Sequence, residues 1–538
     1  MHEKPSIEAN KALSTPLSNT TSYIDFEGAG DPKHPQNWRL STKLFNSILV
    51  CSGTLIVSLT SAIFAPGIDE ASKDFGVGTV VGTLGTTLYV LGFASGPLIW
   101  APASELRGRK WPLTIGMLGG GIFTIASAVA KNIQTLVICR FFAGMFGASQ
   151  LTVVPGVLAD LYSNVTRGAA ISLYALTVFV GPFMAPFVGG FIASSYLGWR
   201  WTLYIPAIFS LANGLLSVFF LDETYPPCIL VAKAAAIREE SLNLNIRARH
   251  EDVEVSIAGL VEKYFTRPLT LLFTEPIILV VSVYMSFIYG LVYALLEAYP
   301  FVFEHVYGMT PAFAGLMFIG LIIGVVLACA FILFGQLAYA RKLAENKGIA
   351  VPEWRLAPTL LGAPVFTIGL FWFSWTGFTP QIHWAAPAAA GIFIGFGVLC
   401  IFLPCFNYIV DAYLPIAASA VAANIILRTP PSSIMSPSPF IITIATSFAM
   451  STTRYTVPVP ESTLILETRQ QLNDMAMQFP LGTVDDRNGG YYLLDHDTTV
   501  LAVASDPLCE ELDASMEAAK RYHNAHPEID EESKSVAP

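Results

Sequence analysis

The sequence predicts an all-α protein that crosses a lipid bilayer many times, and three observations carry that prediction. Hydrophobic residues make up 53% of the 538 and charged residues only 13%, against about 25% charged in an ordinary soluble domain. The apolar residues are gathered in runs of about 20, the length that crosses a hydrocarbon core about 30 Å thick as a helix. The remaining charges fall between the runs, with Lys and Arg concentrated in alternate gaps. This balance excludes a soluble enzyme, a disordered chain and a nucleic-acid binder.

The elements follow in order. Residues 1–44 are polar, rich in Ser, Thr, Asn and Pro, and lack the early apolar core of a secretory signal. Six spans are expected at 45–65, 80–103, 112–130, 135–158, 168–193 and 202–221, an amino-terminal bundle over 45–221. A polar linker occupies 222–274. Spans resume at 276–303, 312–338, 357–377 and 384–412, four firm members of a carboxyl-terminal bundle over 275–428. Residues 414–428 start a fifth member that stops at Thr429-Pro430-Pro431. Residues 434–450 are apolar but short, and Pro437 and Pro439 break them, because proline inside a helix removes a donor and clashes with the preceding turn. The last two helices of a second six-helix half are therefore doubtful. Residues 429–538 read as a divergent segment and an acidic tail.

The net charge of −10 lies wholly in that tail: residues 451–538 hold 6 Lys and Arg against 16 Asp and Glu, and the rest of the chain balances at 24 of each. Orientation follows the rule that cytoplasmic loops carry the Lys and Arg excess. Lys33, Arg39 and Lys43, then Arg107, Arg109 and Lys110, then Arg167, the 222–274 linker, and Arg341, Lys342, Lys347 and Arg355 form one set. The other set holds Lys73, Lys131 and Arg200 with the acids Asp69, Glu70, Asp74 and Glu304. The N-terminus and the linker are expected in the cytoplasm. The seven cysteines are scattered without a CxxC, which points to free thiols and to no metal site. No phosphate-binding loop and no hydrolase or metalloprotease motif is present, so no cofactor is expected and an enzyme is not.

Several residue patterns could carry chemistry. After the second span, Glu105, Arg107, Gly108, Arg109 and Lys110 place an acid, a glycine turn and a basic cluster together, which can clamp the bundle in one state and release it in another. A plain positive anchor accounts for them equally well. Arg140 stands inside the fourth span with Gly144 one turn on. A charge at membrane depth is expected to face a partner or a wet cavity, and the rival account is snorkelling to the nearer surface. Gly181, Pro182, Pro186, Gly189 and Gly190 should kink and loosen the fifth span, as a static bend or as a hinge or seal. In the seventh span, Tyr284, Phe287, Tyr289 and Tyr293 could line a pocket for flat or cationic ligands, although aromatic stripes commonly serve packing. Glu297 falls near the outer surface, where it could touch substrate or protons. The pairs Gly92/Gly96, Gly116/Gly120, Gly320/Gly324 and Gly391/Gly395 suit close helix crossings in lipid.

In order along the chain stand PASELRGRK (102–110), RFFAGMFGAS (140–149), GPFMAPFVGG (181–190), DETYPP (222–227), SFIYG (286–290), EAYPFVF (297–303), PEWRLAP (352–358) and NYIVDAY followed by AASAVAAN (407–424). Together they resemble the major facilitator superfamily, in particular its fungal twelve-spanner drug:proton antiporters, a branch that includes polyamine and multidrug exporters. The resemblance implies two six-helix halves that alternate access, a proton gradient as the driving force, small organic molecules as cargo, and a plasma-membrane monomer whose partners are substrate, protons and lipid. It places Glu105, Arg107, Gly108, Arg109 and Lys110 on a cytoplasmic gating motif, Arg140 and Gly144 on a proton-coupling motif, and Gly181, Pro182, Gly189 and Gly190 on an antiporter motif. Beyond Arg428 the pattern departs from the family's eleventh and twelfth helices. A second reading therefore keeps the fold and drops transport, leaving an inactive or regulatory relative.

Overall fold

The computed structural model describes residues 22–28, 30–163, 166–241, 245–252, 266–346 and 351–413, scattered positions at 259 and between 420 and 427, and two short strands near the end. Helix α1 (Leu40–Ala62) is followed by the short amphipathic α2 (Ile68–Phe75). The second crossing is a bent pair, α3 (Thr79–Ser95) and α4 (Pro97–Arg107). Then come α5 (Lys110–Ala128), α6 (Ile133–Leu161), α7 (Arg167–Ala193) and α8 (Trp201–Phe220). The linker folds into α9 (Pro226–Ser241) and α10 (Arg267–Thr274). The second bundle holds α11 (Pro276–Pro300), α12 (Pro311–Leu316), α13 (Ile319–Glu345), α14 (Ala357–Thr376) and α15 (Ala385–Ala412).

Among the described residues nine spans are long and apolar enough to cross a membrane, and the α3–α4 pair makes a tenth. These match the ten expected positions. The sequence makes helices here because a backbone in lipid must satisfy its own hydrogen bonds. The 40° bend between α3 and α4 lies at Pro97, which has no N–H to continue the ladder. The doubtful spans at 414–428 and 434–450 fall outside the described residues except for a few positions. Of those, Asn424 is buried and donates to Ser282 Oγ at 3.2 Å, and Ser286 Oγ donates to the Leu427 carbonyl at 3.0 Å. The chain there lies against α11. Residues 452–538 form a separate unit, in which Tyr492–Leu494 pairs antiparallel with Val500–Val503.

Glycine sets the tight crossings. A Cβ on Gly92 would meet the Phe141 carbonyl of α6, and one on Gly144 would meet the Tyr89 carbonyl of α3. In the second bundle Gly320 and Gly324 lie against Ala388 and Ile392 of α15, while Gly391 and Gly395 lie against Leu321 of α13. Backbones approach this closely only where side chains are absent. Two faces result. One, here the basic end, carries the start of α1, the turn between α4 and α5, the end of α6 and the linker. The opposite end is closed over the first bundle by α2, where Trp199 is fully buried and donates from Nε1 to Asp74 at 2.9 Å, with Arg200 paired to the same carboxylate at 2.8 Å.

Candidate functional site

At the basic end, α4 stops at Gly108, whose φ of 84° and ψ of −178° are open to glycine and little else. The turn delivers Arg109 into a cage. Its Nε pairs with Asp160 Oδ2 on α6 at 3.0 Å, and its Nη1 donates to Ser104 Oγ at 3.0 Å. The guanidinium stands 4.5 Å over the Tyr225 ring. Glu223, from the start of the linker, accepts the backbone N–H of Arg109 at 2.8 Å, of Lys110 at 3.2 Å and of Tyr225 at 2.9 Å. A Cβ at Gly108 would overlap this carboxylate. Burial pushes the Tyr225 hydroxyl above its ordinary value, with Arg109 pulling the other way. Arg107 is exposed, and Glu105 is half-buried one turn before the cage.

The second bundle repeats the arrangement. Arg355, just before α14, pairs through Nε with Asp411 Oδ2 at the end of α15, at 2.8 Å. Its guanidinium lies 3.9 Å over the Tyr339 ring, and its Nη1 donates to Gln336 at 3.3 Å. A pocket of about 210 Å³ opens beside it, between Tyr339, Lys342, Trp354 and Asn407. Gln336 also reaches the first bundle, since it is the nearest neighbour of Gly168 at the start of α7.

Within the first bundle Arg140 is fully buried. It donates from Nε to the Gly85 carbonyl at 3.0 Å, from Nη1 to Thr60 at 3.0 Å and from Nη2 to Ser61 at 3.3 Å. Thr60 and Ser61 belong to the last turn of α1, where carbonyls have no partner in the helix and the dipole is negative. The cation thus caps a helix inside the membrane. The Tyr89 ring lies 4.4 Å away and Phe64 5.6 Å away. Snorkelling is thereby ruled out as the account of Arg140.

The seam between the bundles runs along α7. A Cβ on Gly181 would crowd Ser58 of α1, and one on Gly189 would sit 2.5 Å from the Ile63 carbonyl. Gly190 faces the second bundle, where an added Cβ would stand 2.8 Å from the Pro311 carbonyl, and Gly315 returns the contact against the Pro186 carbonyl. Pro182 and Pro186 lie inside α7 without ending it. At mid-depth Phe179 of α7 meets Phe402 of α15 edge-on at 5.0 Å. Phe402 is 6.1 Å from Tyr289, which is 5.2 Å from Tyr293.

Comparison with known proteins places this geometry. The family model described as Major Facilitator Superfamily matches residues 50–437. The chain belongs to the Major Facilitator Superfamily. It is 46% identical over 427 residues to the multidrug transporter TPO1_2 of Candida glabrata, covering 79% of this chain and 74% of the relative. It is 40% identical to the multidrug transporter FLU1 of Candida albicans, covering 79% and 70%. It is 41% identical to the citrinin biosynthesis cluster transporter mrr1 of Monascus ruber, covering 76% and 81%. Among solved structures, a D-xylose-proton symporter superposes with a TM-score of 0.51 at 18% identity, covering 75% of this chain and 90% of that one. The E. coli xylose transporter XylE in a partially occluded inward-open state gives 0.53 at 16%, covering 78% and 98%. At those identities the likeness is one of fold.

This superfamily member departs from its sequence reading at three places. Phe287 does not join Tyr289 and Tyr293: it lies on the outer stripe of α11 with Ile277, Val280 and Val283, 54% exposed. Two residues apart on a helix means nearly opposite faces, so Phe287 and Tyr289 could not share a pocket. Tyr284 is half-buried near the basic end of α11, and Glu297 is half-buried at its other end. The ion pair of Arg109 runs to Asp160 on another helix, a partner that the sequence reading does not name. Finally, the Arg355–Asp411 pair is not foreseen by the sequence reading; its signal is present in the strings PEWRLAP and NYIVDAY, which hold two charges 56 residues apart.

Proposed function

We propose that this chain is a proton-coupled exporter of small organic compounds, such as drugs, polyamines or secondary metabolites, working by alternating access in the plasma membrane with its basic end in the cytoplasm. The similarity to multidrug transporters over three quarters of the chain supports the cargo class. The fold supports rocking of two bundles about a central site. The observation that carries the proton-coupled part is Arg140, a cation held at membrane depth by backbone carbonyls and aromatic faces. A charge kept there at such cost is expected to serve ion movement.

In this reading Gly108–Lys110 with Asp160 form the gate at the cytoplasmic end. Breaking the Arg109–Asp160 pair frees the α4–α5 turn from α6 and from the start of the linker that joins the bundles. Gly144 lets α6 approach α3 so that Arg140 reaches α1. Gly181, Pro182, Gly189 and Gly190 let α7 flex against α1 and slide on the second bundle. Tyr289 and Tyr293 are buried in this structure, 7% and 2% exposed, so parting of the bundles is what would bare their ring faces, with Tyr284 nearer the gate, to a flat or cationic cargo. Glu297 at the far end of α11 is a candidate to exchange protons with the outside.

Inside-out vesicles from cells with and without the protein test this. With an acid lumen, uptake of rhodamine 6G or spermidine should rise with the protein, fall to background when nigericin collapses the gradient, and be lost in Arg140→Met. Uptake that survives collapse of the gradient overturns the antiport. Absence of uptake across a compound panel favours the inactive relative.

A further inference from the structure

The amino-terminal segment and the central linker, which read as plain polar connections in the sequence, meet in a built contact. Ser22–Tyr23 pairs in parallel with Ile246–Arg247, and the Ile24 N–H donates to the Arg247 carbonyl at 3.0 Å. Lys233, in the second turn of α9, has only 7% of its side chain exposed and pairs with Asp31 at 3.2 Å and Glu27 at 2.9 Å. A lysine is almost never buried unless it is paired.

Asp31 is set for this partner. It is itself buried, its carboxylate accepts the N–H of Glu27 at 3.0 Å and of Lys33 at 2.8 Å, and the side-chain amide of Asn37 donates to its carbonyl at 2.9 Å. Ala234 and Ala248 are buried in the same linker.

The same helix reaches the gate. It begins at Pro226, one residue after Tyr225, whose ring receives Arg109, and three after Glu223, whose carboxylate holds the turn at Arg109 and Lys110. Cys228 lies between the two contacts, half-buried in the first turn of α9. Burial, then the Glu223 charge, push its thiol up to about 11.

We propose that residues 22–38 are a strap: by gripping α9 through Asp31 and Lys233, they hold Glu223 and Tyr225 in the gate turn, so that strap release and gate opening are one event. The strap acts on the equilibrium between two states, and coupling of that kind runs in both directions. It depends on the geometry of this end alone and holds whatever the cargo.

Cys228 is a native reporter. The full chain in nanodiscs is pulsed with N-ethylmaleimide at fixed pH, and modification of Cys228 is followed by peptide mass spectrometry. Asp31→Asn and Lys233→Met should each speed labelling by about tenfold, within the usual range for coupled sites. Glu27→Gln, which removes only the exposed partner, should change it far less. The Asp31→Asn, Lys233→Met double variant should label no faster than the quicker single one. Asp160→Asn, which leaves the strap and the Arg109 charge in place, should also speed Cys228. Buried Cys400 reports unfolding in the same digest. If Lys233→Met exposes it, Asp31→Asn, which preserves volume, decides. Unchanged labelling in Asp31→Asn, or an Asp160→Asn that leaves Cys228 slow, overturns the proposal. Neither result depends on transport, so failure here is separable from failure of the exporter reading.

Discussion

Arg109 and Arg355 occupy matching places in the two bundles. Each stands at the start of a span, pairs with an aspartate at the end of the next one, and lays its guanidinium over a tyrosine ring. The ion pairs are similarly sheltered, with side chains 14% and 14% exposed in the first and 11% and 16% in the second. The bracing differs. Around Arg109 the turn is pinned by Glu223 through three backbone N–H groups, and the linker is pinned in turn by the strap. Around Arg355 the additional tie among the described residues is the Gln336 amide, beside an open pocket. Arg140 has no counterpart among the described residues of the second bundle: the matching stretch of α15 is apolar, Ala385 to Val398. The same arginine–aspartate–tyrosine unit has thus been built once into a rigid frame and once into a lighter one, so in the proposed cycle motion at the basic end should begin on the second bundle.

The largest effect should come from Arg140. Its removal leaves the Thr60 and Ser61 carbonyls at the end of α1 unmatched, and each buried acceptor left unmade costs about 1–3 kcal/mol. Arg140→Met should therefore lower the Tm of the detergent-purified protein far more than substitution of Ile394 by Val in the second bundle, and Arg140→Lys should fall between. An unchanged Tm would break the claim that this cation caps α1. The gates come next. Removing one partner of a buried pair costs about 3–5 kcal/mol, because the other charge stays behind. Arg109→Ala and Arg355→Ala should each lose stability on this order, and Arg109→Gln with Asp160→Asn should recover part of it. Protease cleavage at the basic end should rise more in Arg355→Ala, where the frame is lighter. Equal rises would remove the difference in bracing.

Gly108→Ala comes third. The strained backbone costs about 1–3 kcal/mol for a residue with a side chain, and the new Cβ collides with Glu223. In a Glu223→Ala background the collision is gone and the strain remains, so the effect of Gly108→Ala should shrink but persist. No described glycine in the Arg355 turn has a positive φ, so the second gate offers no equivalent variant. The smallest effect is one of pH. The N–H groups of Glu27 and Lys33, with Lys233 beyond them, hold the Asp31 carboxyl down at about 2, below its ordinary 3.8. A depressed carboxyl contributes stability above its unfolded value and loses it as the pH falls through the folded one. Hydrogen bonds to Glu27 and Asp31 raise Lys233 in the opposite sense, so its share persists below its ordinary 10.5. The Glu27 and Lys33 amide hydrogens, which Asp31 accepts, should stay protected from exchange down to about pH 4 and lose protection between there and about pH 2. In Asp31→Asn that step should be absent.

The ten spans are readable because each is a run of apolar residues of bilayer length, a property of local composition. The close crossings at Gly92, Gly320 and Gly391 are readable as spacing. The partners of Arg109 and Arg140 are not. Asp160 is 51 residues from Arg109, and the acceptors of Arg140 are backbone carbonyls, which leave no mark in a sequence. Phe287 is misplaced when an aromatic cluster is taken whole, without the helix period that separates it from Tyr289. The strap is invisible for the same reason as the gate: Asp31 and Lys233 are 202 residues apart, and each looks like an ordinary surface charge.

The central claim is that the two bundles rock against each other along α7, opening alternately at its two ends. Disulfide trapping tests it most directly. In a background without the native cysteines, one pair is placed at Gly168 and Gln336 at the basic end, and another at Gly190 and Ala312 at the opposite end. Transport of whichever of rhodamine 6G or spermidine the vesicle assay shows to be carried is then measured before oxidation, after it, and after reduction. Either disulfide alone should stop transport, and reductant should restore it. Transport that continues at the unlocked rate with a bond formed at either end would contradict the account.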